Sequence, residues 1–285
     1  MSILLALVSA FAYGLSDFVG GLVSRRASAW PVAVVGQLSA TVCTALVALL
    51  VPGSPAGPDF AWAVLAGLAS GVGTGFLYRG FASGRLSVVA PVSAVGAALV
   101  PVLAGAVGGE RFSVVVWLGI AVALPGIWLV SSTTGELPEP GNGRTPRVSL
   151  AEGLVDGVLA GLGFGVLFAA LGQVPEGAGL WPLTLAQLLS VPSVVVLAVL
   201  LRAAWVPRGR TVWWALAAGP LGATATAAFL FATQSGYLTI AGVLSSLYPA
   251  TTVLLAAMVL KEHIHRAQGV GLGLCALAIG FVAGG

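Results

Sequence analysis

Charged side chains are the scarcest feature of this chain: Asp, Glu, Lys and Arg make up 7% of its 285 residues, against about a quarter of a typical soluble domain. Lysine occurs once, at Lys261, and the formal net charge is only +3. So few charges cannot cover a soluble domain of this length, and the arginines form no basic patch of the kind that binds nucleic acid. We therefore predict neither a soluble domain nor a nucleic-acid partner.

Cysteine and histidine are also scarce, with two of each. Cys43 and Cys275 lie inside apolar stretches, and neither has another cysteine or a histidine at metal-ligand spacing. His263 and His265 are too small a set for a metal site. The sequence also lacks a glycine-rich phosphate loop that ends in Lys-Ser or Lys-Thr. No disulfide, metal, nucleotide or other cofactor is predicted.

Apolar residues fill the chain instead, at 58% of the total and a mean hydropathy of +1.05. A run of about 20 apolar residues is long enough to cross a hydrocarbon core of roughly 30 Å. Ten such runs are predicted, near residues 3–23, 30–51, 60–79, 86–107, 112–131, 151–171, 180–201, 212–232, 238–260 and 266–284. The first run has no basic segment before it, so we expect a retained helix rather than a signal peptide. The predicted fold class is an all-α membrane protein with ten transmembrane helices.

The second half of the chain repeats the first. A gapless shift of 152 positions places residues 86–110 on residues 238–262. The same shift aligns further identical or similar residues, among them Trp62 with Trp214, Gly67 with Gly219, Thr74 with Thr226, Ser83 with Ser235, Ser93 with Ser245 and Glu110 with Glu262. Each copy holds five spans, an odd number, so the second copy must enter the membrane from the opposite side. We predict two inverted five-helix repeats.

The predicted boundaries place the first repeat at residues 1–131 and the second at 150–285. Residues 132–149, between them, are the one long polar segment and are rich in Pro and Gly. Such a composition is typical of a flexible linker.

Loop charge gives an orientation. Eleven of the twelve basic residues fall in the connections between spans 1/2, 3/4, 5/6, 7/8 and 9/10, namely Arg25, Arg26, Arg79, Arg85, Arg144, Arg147, Arg202, Arg208, Arg210, Lys261 and Arg266. Arg111 alone lies on the other side. Because cytoplasmic loops are enriched in Lys and Arg, these five connections are predicted to face the cytoplasm and both termini to lie outside it.

Several residues of the second half follow the pattern of a known family, namely Gly236, Leu238, Tyr248, Pro249, Glu262, Gln268, Gly269, Gly271 and Gly280. The first half matches it at Tyr78, Ala82, Leu86, Pro91, Glu110, Arg111 and Gly119. On these residues the chain resembles the ten-helix drug/metabolite transporters that are built from two EamA-type repeats. One departure is that Ala97 occupies the place of Pro249, with Pro101 one helical turn later, so helix 4 is expected to bend at a different depth. The resemblance implies the fold and the export of a small organic metabolite or toxic compound, and leaves the solute open.

Asp17 is the first candidate for chemistry, since it lies about four residues from the centre of span 1, or roughly 6 Å from the bilayer midplane. A carboxylate at that depth costs a few kcal/mol unless it faces a water-filled cavity or a cation. We predict a substrate-binding or proton-coupling acid. The alternative is a hydrogen bond to another helix, or contact with water from a tilted span.

Gln37 and Gln187 occupy similar places in spans 2 and 7, each after a Trp-Pro pair. An amide in lipid must find a partner, so each is expected either to line a cavity or to bond another helix. Tyr13 and Tyr248 fall inside spans and are the tyrosines preferred for contact with an organic solute, with packing as the alternative. Arg79 marks the membrane boundary, or reaches into the mouth of a cavity to meet an anionic solute.

Four further residues are assigned structural or gating roles. Glu110 and Glu262 end the paired spans 4 and 9, each beside a basic residue, and their recurrence in both copies favours salt bridges or helix caps over direct coupling. Pro101 and Pro249 remove backbone hydrogen bonds within spans and are predicted hinges.

Two classes of function fit these features. The first is a secondary transporter of the cytoplasmic membrane, working by alternating access on a small organic solute and driven by a solute or ion gradient, proton exchange included. The second is a membrane-embedded enzyme that acts on a lipid or prenyl substrate; the chain lacks the His-Glu-x-x-His motif and paired intramembrane acids of such enzymes. The lipid bilayer is a partner in either case, and the oligomeric state stays open, a homodimer included.

Overall fold

A computed structural model describes residues 1–24, 26–83, 86–131, 150–259, 261 and 263–284, with only the backbone described at 86, 87 and 150. The predicted linker at 132–149 and Glu262 lie outside the described residues. Eleven α-helices occur in that part of the chain: α1 Ser2–Ser24, α2 Ala29–Ala48, α3 Gly57–Ala82, α4 Leu86–Val107, α5 Val114–Ser131, α6 Leu150–Leu171, α7 Trp181–Leu200, α8 Ala218–Gln234, α9 Leu238–Ser245, α10 Tyr248–Val259 and α11 Arg266–Gly284.

These helices make ten membrane spans in the described residues, as predicted. Helices α1 to α7 are spans 1 to 7. Span 8 joins a 3₁₀ segment, Thr211–Ala217, to α8, and span 10 is α11. Span 9 is predicted as one helix but is divided into α9 and α10, whereas its repeat partner α4 is one helix through both Pro91 and Pro101. The all-α fold with ten spans is confirmed.

The interruption of span 9 lies directly before Pro249. Helix α9 ends at Ser245, and α10 begins at Tyr248. Proline has no backbone N–H and is tolerated in the first turn of a helix, where that N–H would have no partner. The chain therefore restarts its helix at Tyr248-Pro249 instead of continuing through the proline. The corresponding position of α4 is Ala97, which carries a normal N–H, and α4 runs through it.

Packing between the halves follows the duplication. Helix α1 packs against α8, α9 and α10, and its repeat partner α6 packs against α3 and α4. Helix α2 contacts α7 and α8, as α7 contacts α2 and α3. The symmetric pairs α4 with α9 and α5 with α11 also pack together. These contacts have counterparts when the halves are exchanged, as an inverted repeat requires.

Glycine allows the closest of these approaches. A Cβ atom added to Gly163 of α6 would lie 2.5 Å from the backbone nitrogen of Gly73 in α3. One added to Gly161 would lie 3.0 Å from the Cα of Gly96 in α4. Small residues let helix backbones touch, and in lipid that van der Waals contact is a main source of helix association. These contacts hold α6 against two helices of the first half.

The connections 1/2, 3/4, 7/8 and 9/10 lie at one end of the bundle, here called the odd end, and the connections 2/3, 4/5, 6/7 and 8/9 at the other, the even end. At the even end the two halves touch directly. The backbone N–H of Ser54 donates to the carbonyl of Gly177 at 2.9 Å, which joins connection 2/3 to connection 6/7.

Glu110 provides the second link at the even end. Its Oε1 accepts the backbone N–H of Leu238 at 2.7 Å, and its Oε2 accepts that of Thr239 at 3.1 Å. Both donors belong to the first turn of α9, where N–H groups have no partner within the helix and the helix dipole favours negative charge. The carboxylate of the first half therefore caps a helix of the second.

Glu110→Gln is expected to lower the free energy of unfolding by about 1–2 kcal/mol, because the amide keeps one acceptor and loses the charge. The measurement is the midpoint of thermal unfolding in detergent micelles. Glu176→Gln removes an equally negative but exposed side chain from connection 6/7 and is the matched control. Equal midpoints for the two variants would show that the cap contributes nothing.

Candidate functional site

A cavity lies between the two halves. Helices α1, α2 and α3 of the first half line it, together with α6, α7, α8 and α10 of the second. The volume that water can occupy in it is about 60 Å³, which is room for a few water molecules. The cavity is therefore narrow in this conformation, and a small organic solute would need it to widen.

Five of the six residues predicted to bind or couple solute line this one cavity: Tyr13, Asp17, Gln37, Gln187 and Tyr248. They come from four helices and are separated by up to 235 positions in the sequence. The sixth, Arg79, is not part of the lining.

Asp17 is the one charged side chain that lines the cavity in the described part of the chain. It is half-buried, and no described residue donates a hydrogen bond to its carboxylate or forms an ion pair with it. The hydroxyls of Tyr13, Tyr78 and Tyr248 are close enough to interact electrostatically with it. The alternative predicted for Asp17, a hydrogen bond that joins two helices, is not formed among the residues described here. The carboxylate is left available to the cavity.

Tyr78 approaches Asp17 because α1 carries a glycine one turn later. A Cβ atom on Gly20 would collide with the Tyr78 hydroxyl, so only glycine gives that ring its place. The sequence had favoured Tyr13 and Tyr248 over Tyr78, which lies near the predicted end of span 3. In the structure α3 continues to Ala82, and Tyr78 lines the cavity.

The two glutamines are held in the same manner in the two halves. Nε2 of Gln37 donates to Thr74 Oγ1 at 3.1 Å and to Ser70 Oγ at 3.2 Å. Nε2 of Gln187 donates to Thr226 Oγ1 at 3.0 Å. Thr74 and Thr226 are repeat partners, so the alignment of the two halves pairs these hydroxyls. The alignment alone does not show that they line a cavity. Each amide nitrogen is satisfied within its own half, and no described residue donates to either Oε1.

The rings of Tyr13 and Tyr248 lie side by side, with centroids 6.3 Å apart. Both hydroxyls are buried and form no hydrogen bond within the described ranges. Ser93 is near the Tyr248 hydroxyl but donates its own proton to the carbonyl of Ala90 at 3.0 Å. A buried hydroxyl without a partner is costly and uncommon, so the two tyrosines are the polar groups of this site that most need a ligand.

The wall that α6 contributes is apolar. Phe164, Leu167 and Phe168 line the cavity from this helix, where its repeat partner α1 presents Tyr13, Ser16 and Asp17. Phe168 meets Tyr13 edge to face at 5.7 Å and stacks on Phe229 at 4.4 Å. The cavity is consequently acidic and polar on the α1 side and aromatic on the α6 side, although the two helices are related by the duplication.

Arg79 lies outside the lining because another residue binds it. Its guanidinium forms an ion pair with Asp156 of α6, with Nε 2.9 Å from Oδ1, and its Cζ lies 4.6 Å from the centre of the Phe76 ring. Asp156 is fully buried. The pair joins α3 to α6, and thus one half to the other, near the odd end. The structure therefore gives Arg79 an ion-pair partner in the protein and not a place in the cavity.

The residues assigned structural or gating roles lie at contacts between or within the halves. Glu110 caps α9 as described above, and Pro249 begins α10. Pro101 of α4 packs against Gly242 of α9, where a Cβ atom would collide with the proline ring. Their roles in gating stay predictions.

Comparison with known proteins identifies a family and similar solved structures. A family model described as the EamA-like transporter family matches residues 1–132 and 152–284. A solved crystal structure superposes with a TM-score of 0.71 at 15% sequence identity, over 99% of this chain and 95% of the other, which shows a common fold. A search of curated proteins finds no match.

Proposed function

The chain belongs to the EamA-like transporter family, and from this premise we propose that it is a secondary active transporter that exports a small organic solute by alternating access and exchanges it for protons at Asp17. Family membership and ten spans make it a multi-pass membrane protein with a transport function in general. We propose beyond this that the solute is a small organic molecule, that it is exported in exchange for protons, and that the protein lies in the cytoplasmic membrane.

One observation carries the proposal: a cavity lies where the inverted halves meet, and it is lined by a carboxylate for which the described residues provide no partner. Rocking of one repeat against the other exposes such a site to each side in turn. Contacts between the halves occur at both ends, through Glu110 on α9 at the even end and the Arg79–Asp156 pair near the odd end. Opening either end requires breaking the contact there.

The composition of the lining supports proton exchange. Asp17 is its one carboxylate within the described residues, and the titratable groups near it are Tyr13, Tyr78 and Tyr248. A single acid cannot hold a cationic group and a proton at the same time. Solute and proton would therefore replace one another, and a proton gradient would drive solute in the opposite direction.

Orientation is proposed from loop charge alone. Arg26, Arg202, Arg208, Arg210 and Arg266 lie at the odd end in the described residues, which would therefore face the cytoplasm. Protons entering from the even end would drive export.

The test is solute flux in proteoliposomes with an imposed pH gradient and a panel of radiolabelled amines and amino acids. We expect at least one solute to move faster than in protein-free vesicles, with a rate that rises with the gradient. No flux for any solute, together with chemical change of an added lipid, would replace the transporter by the membrane-embedded enzyme.

A further inference from the structure

We propose that the cavity selects a protonated primary or secondary amine carried on an aromatic or other apolar body, and that it rejects amino acids with a free carboxylate as well as quaternary ammonium ions. The inference rests on the proposed function in one respect, since such an amine would be the transported solute. The binding preference itself is argued from the residues that line the cavity.

The charged group free to meet a ligand is an acceptor and two amide oxygens accompany it, whereas the unpartnered hydroxyls of Tyr13 and Tyr248 can either donate or accept. Asp17 presents a carboxylate to which no described residue donates. Gln37 and Gln187 each use their amide nitrogen on a hydroxyl of a neighbouring helix, which leaves Oε1 as the free end. Acceptors in a low-dielectric site are matched by N–H donors, and an ammonium group carries donors together with the charge that neutralises Asp17.

A carboxylate on the solute finds no partner of opposite charge. No Lys, Arg or His lines the cavity among the residues with described side chains. Arg79, for which contact with an anionic solute was one of two predicted roles, is bound by Asp156 instead. The hydroxyls of Tyr13 and Tyr248 could donate to the carboxylate of an amino acid but would not neutralise its charge, and a second negative charge beside Asp17 without a counter-charge is strongly unfavourable. An amine with the same apolar group has no carboxylate to desolvate and so avoids this cost.

The apolar residues of α6 suit the remainder of such a solute. Phe164, Leu167 and Phe168 offer apolar surface in the same cavity as Asp17, and Phe168 stacks on Phe229. An aromatic ring prefers edge-to-face or offset contact with such residues. A solute that carries both an ammonium group and a ring could contact Asp17 and this apolar surface at once.

Quaternary ammonium ions test the contribution of hydrogen bonds to binding separately from that of charge. They keep the attraction to Asp17 and to the tyrosine rings but carry no N–H, so the acceptors of Asp17, Gln37 and Gln187 would be desolvated without a donor. A site built to hydrogen-bond a ligand discriminates against the analogue that lacks the donor. The free amine should therefore bind more tightly than its trimethylated form.

The experiment measures equilibrium binding to the full-length protein in lipid nanodiscs. Tritiated 2-phenylethylamine is the probe, and unlabelled phenylalanine and N,N,N-trimethyl-2-phenylethylammonium are the competitors. Hydrogen bonds that involve a charged group contribute about 1.5–3 kcal/mol, so the quaternary ion should bind about 10–100-fold more weakly than 2-phenylethylamine. Phenylalanine keeps the ammonium donors, but its carboxylate lacks a counter-charge in the cavity and should weaken binding by at least about 10-fold. Equal or tighter binding of either competitor would overturn the proposal. This comparison uses the unaltered protein and so needs no variant to fold.

Substitutions of the lining residues then show which side chains cause the preference for the amine. Asp17→Asn should abolish saturable binding of both the amine and the quaternary ion, whereas Gln37→Leu together with Gln187→Leu should weaken the amine selectively and reduce its advantage over the quaternary ion to below about threefold. Glu176→Gln, which alters an exposed acid far from the cavity, should leave both affinities unchanged. Tight amine binding by Asp17→Asn, or an unchanged preference in the glutamine variant, would contradict the assignment.

Failure of this inference and failure of the proposed function give different results. Selective, Asp17-dependent amine binding without exchange in proteoliposomes would support the site and remove the transporter. Exchange of an amino acid, with no amine binding, would keep the transporter and remove the selectivity proposed here.

Discussion

Asp17→Asn is expected to reduce pH-driven solute flux to the level of protein-free vesicles while the protein stays folded. Asparagine has nearly the size of aspartate but neither its charge nor its exchangeable proton. Because Asp17 is the one charged residue of the described lining, no neighbour can take over. Flux is measured in proteoliposomes with and without a pH gradient, and folding by the elution profile and thermal midpoint of the purified variant.

Glu176→Gln is the control for this variant, since it removes one negative charge from an exposed position outside the membrane. Its flux should equal that of the unaltered protein. If Asp17→Asn retained flux and pH dependence, Asp17 would have no part in the mechanism, and the proton exchange proposed here would be wrong.

Arg79→Leu is expected to lower the free energy of unfolding by about 1.5–3 kcal/mol, the second large effect. The substitution removes the guanidinium that pairs with Asp156, a fully buried carboxylate of α6. The charged hydrogen bonds from the guanidinium are lost while the carboxylate stays buried. The measurement is unfolding by SDS in mixed micelles.

The double variant Arg79→Leu with Asp156→Asn distinguishes this cause from lost packing. With the buried charge also removed, part of the stability should return, so the two substitutions should be non-additive. Arg208→Leu, at an exposed arginine of connection 7/8, serves as the control and should be nearly neutral. A double variant less stable than Arg79→Leu alone would indicate that the arginine contributes through its contacts and not its charge.

The number and inverted arrangement of the spans could be predicted because each follows from local properties. Apolar runs of sufficient length fix the spans, and a shift of 152 positions with five spans per copy fixes the inversion. The division of span 9 before Tyr248 could not be predicted in the same way, because α4 passes through its own prolines unbroken. Whether a proline interrupts a helix depends on the neighbours that surround it, which hydropathy does not record. The exact repeat boundaries and the homodimer stay predictions.

The cavity was accessible to sequence reasoning only through its polar members. Asp17, Gln37 and Gln187 are conspicuous because polar groups in a span need a reason, and the duplication places the glutamines at similar depths. The aromatic wall was missed, since Phe164 and Phe168 look like any other apolar residue of a span. The partners of Arg79 and Glu110 were also missed. Asp156 and the first turn of α9 lie 77 and 128 positions away, and only the packing of one half on the other brings them close.

The most direct test of the central claim is the accessibility of the cavity from the two sides of the membrane. Thr74→Cys and Thr226→Cys, made separately with Cys43 and Cys275 replaced by serine, place a thiol on repeat-related walls of the cavity. The account predicts that a membrane-impermeant methanethiosulfonate reaches each thiol from either side of sealed proteoliposomes, and that a transported solute protects both. Thiols that react from one side only, under every pH gradient and solute concentration, would contradict alternating access between the two halves.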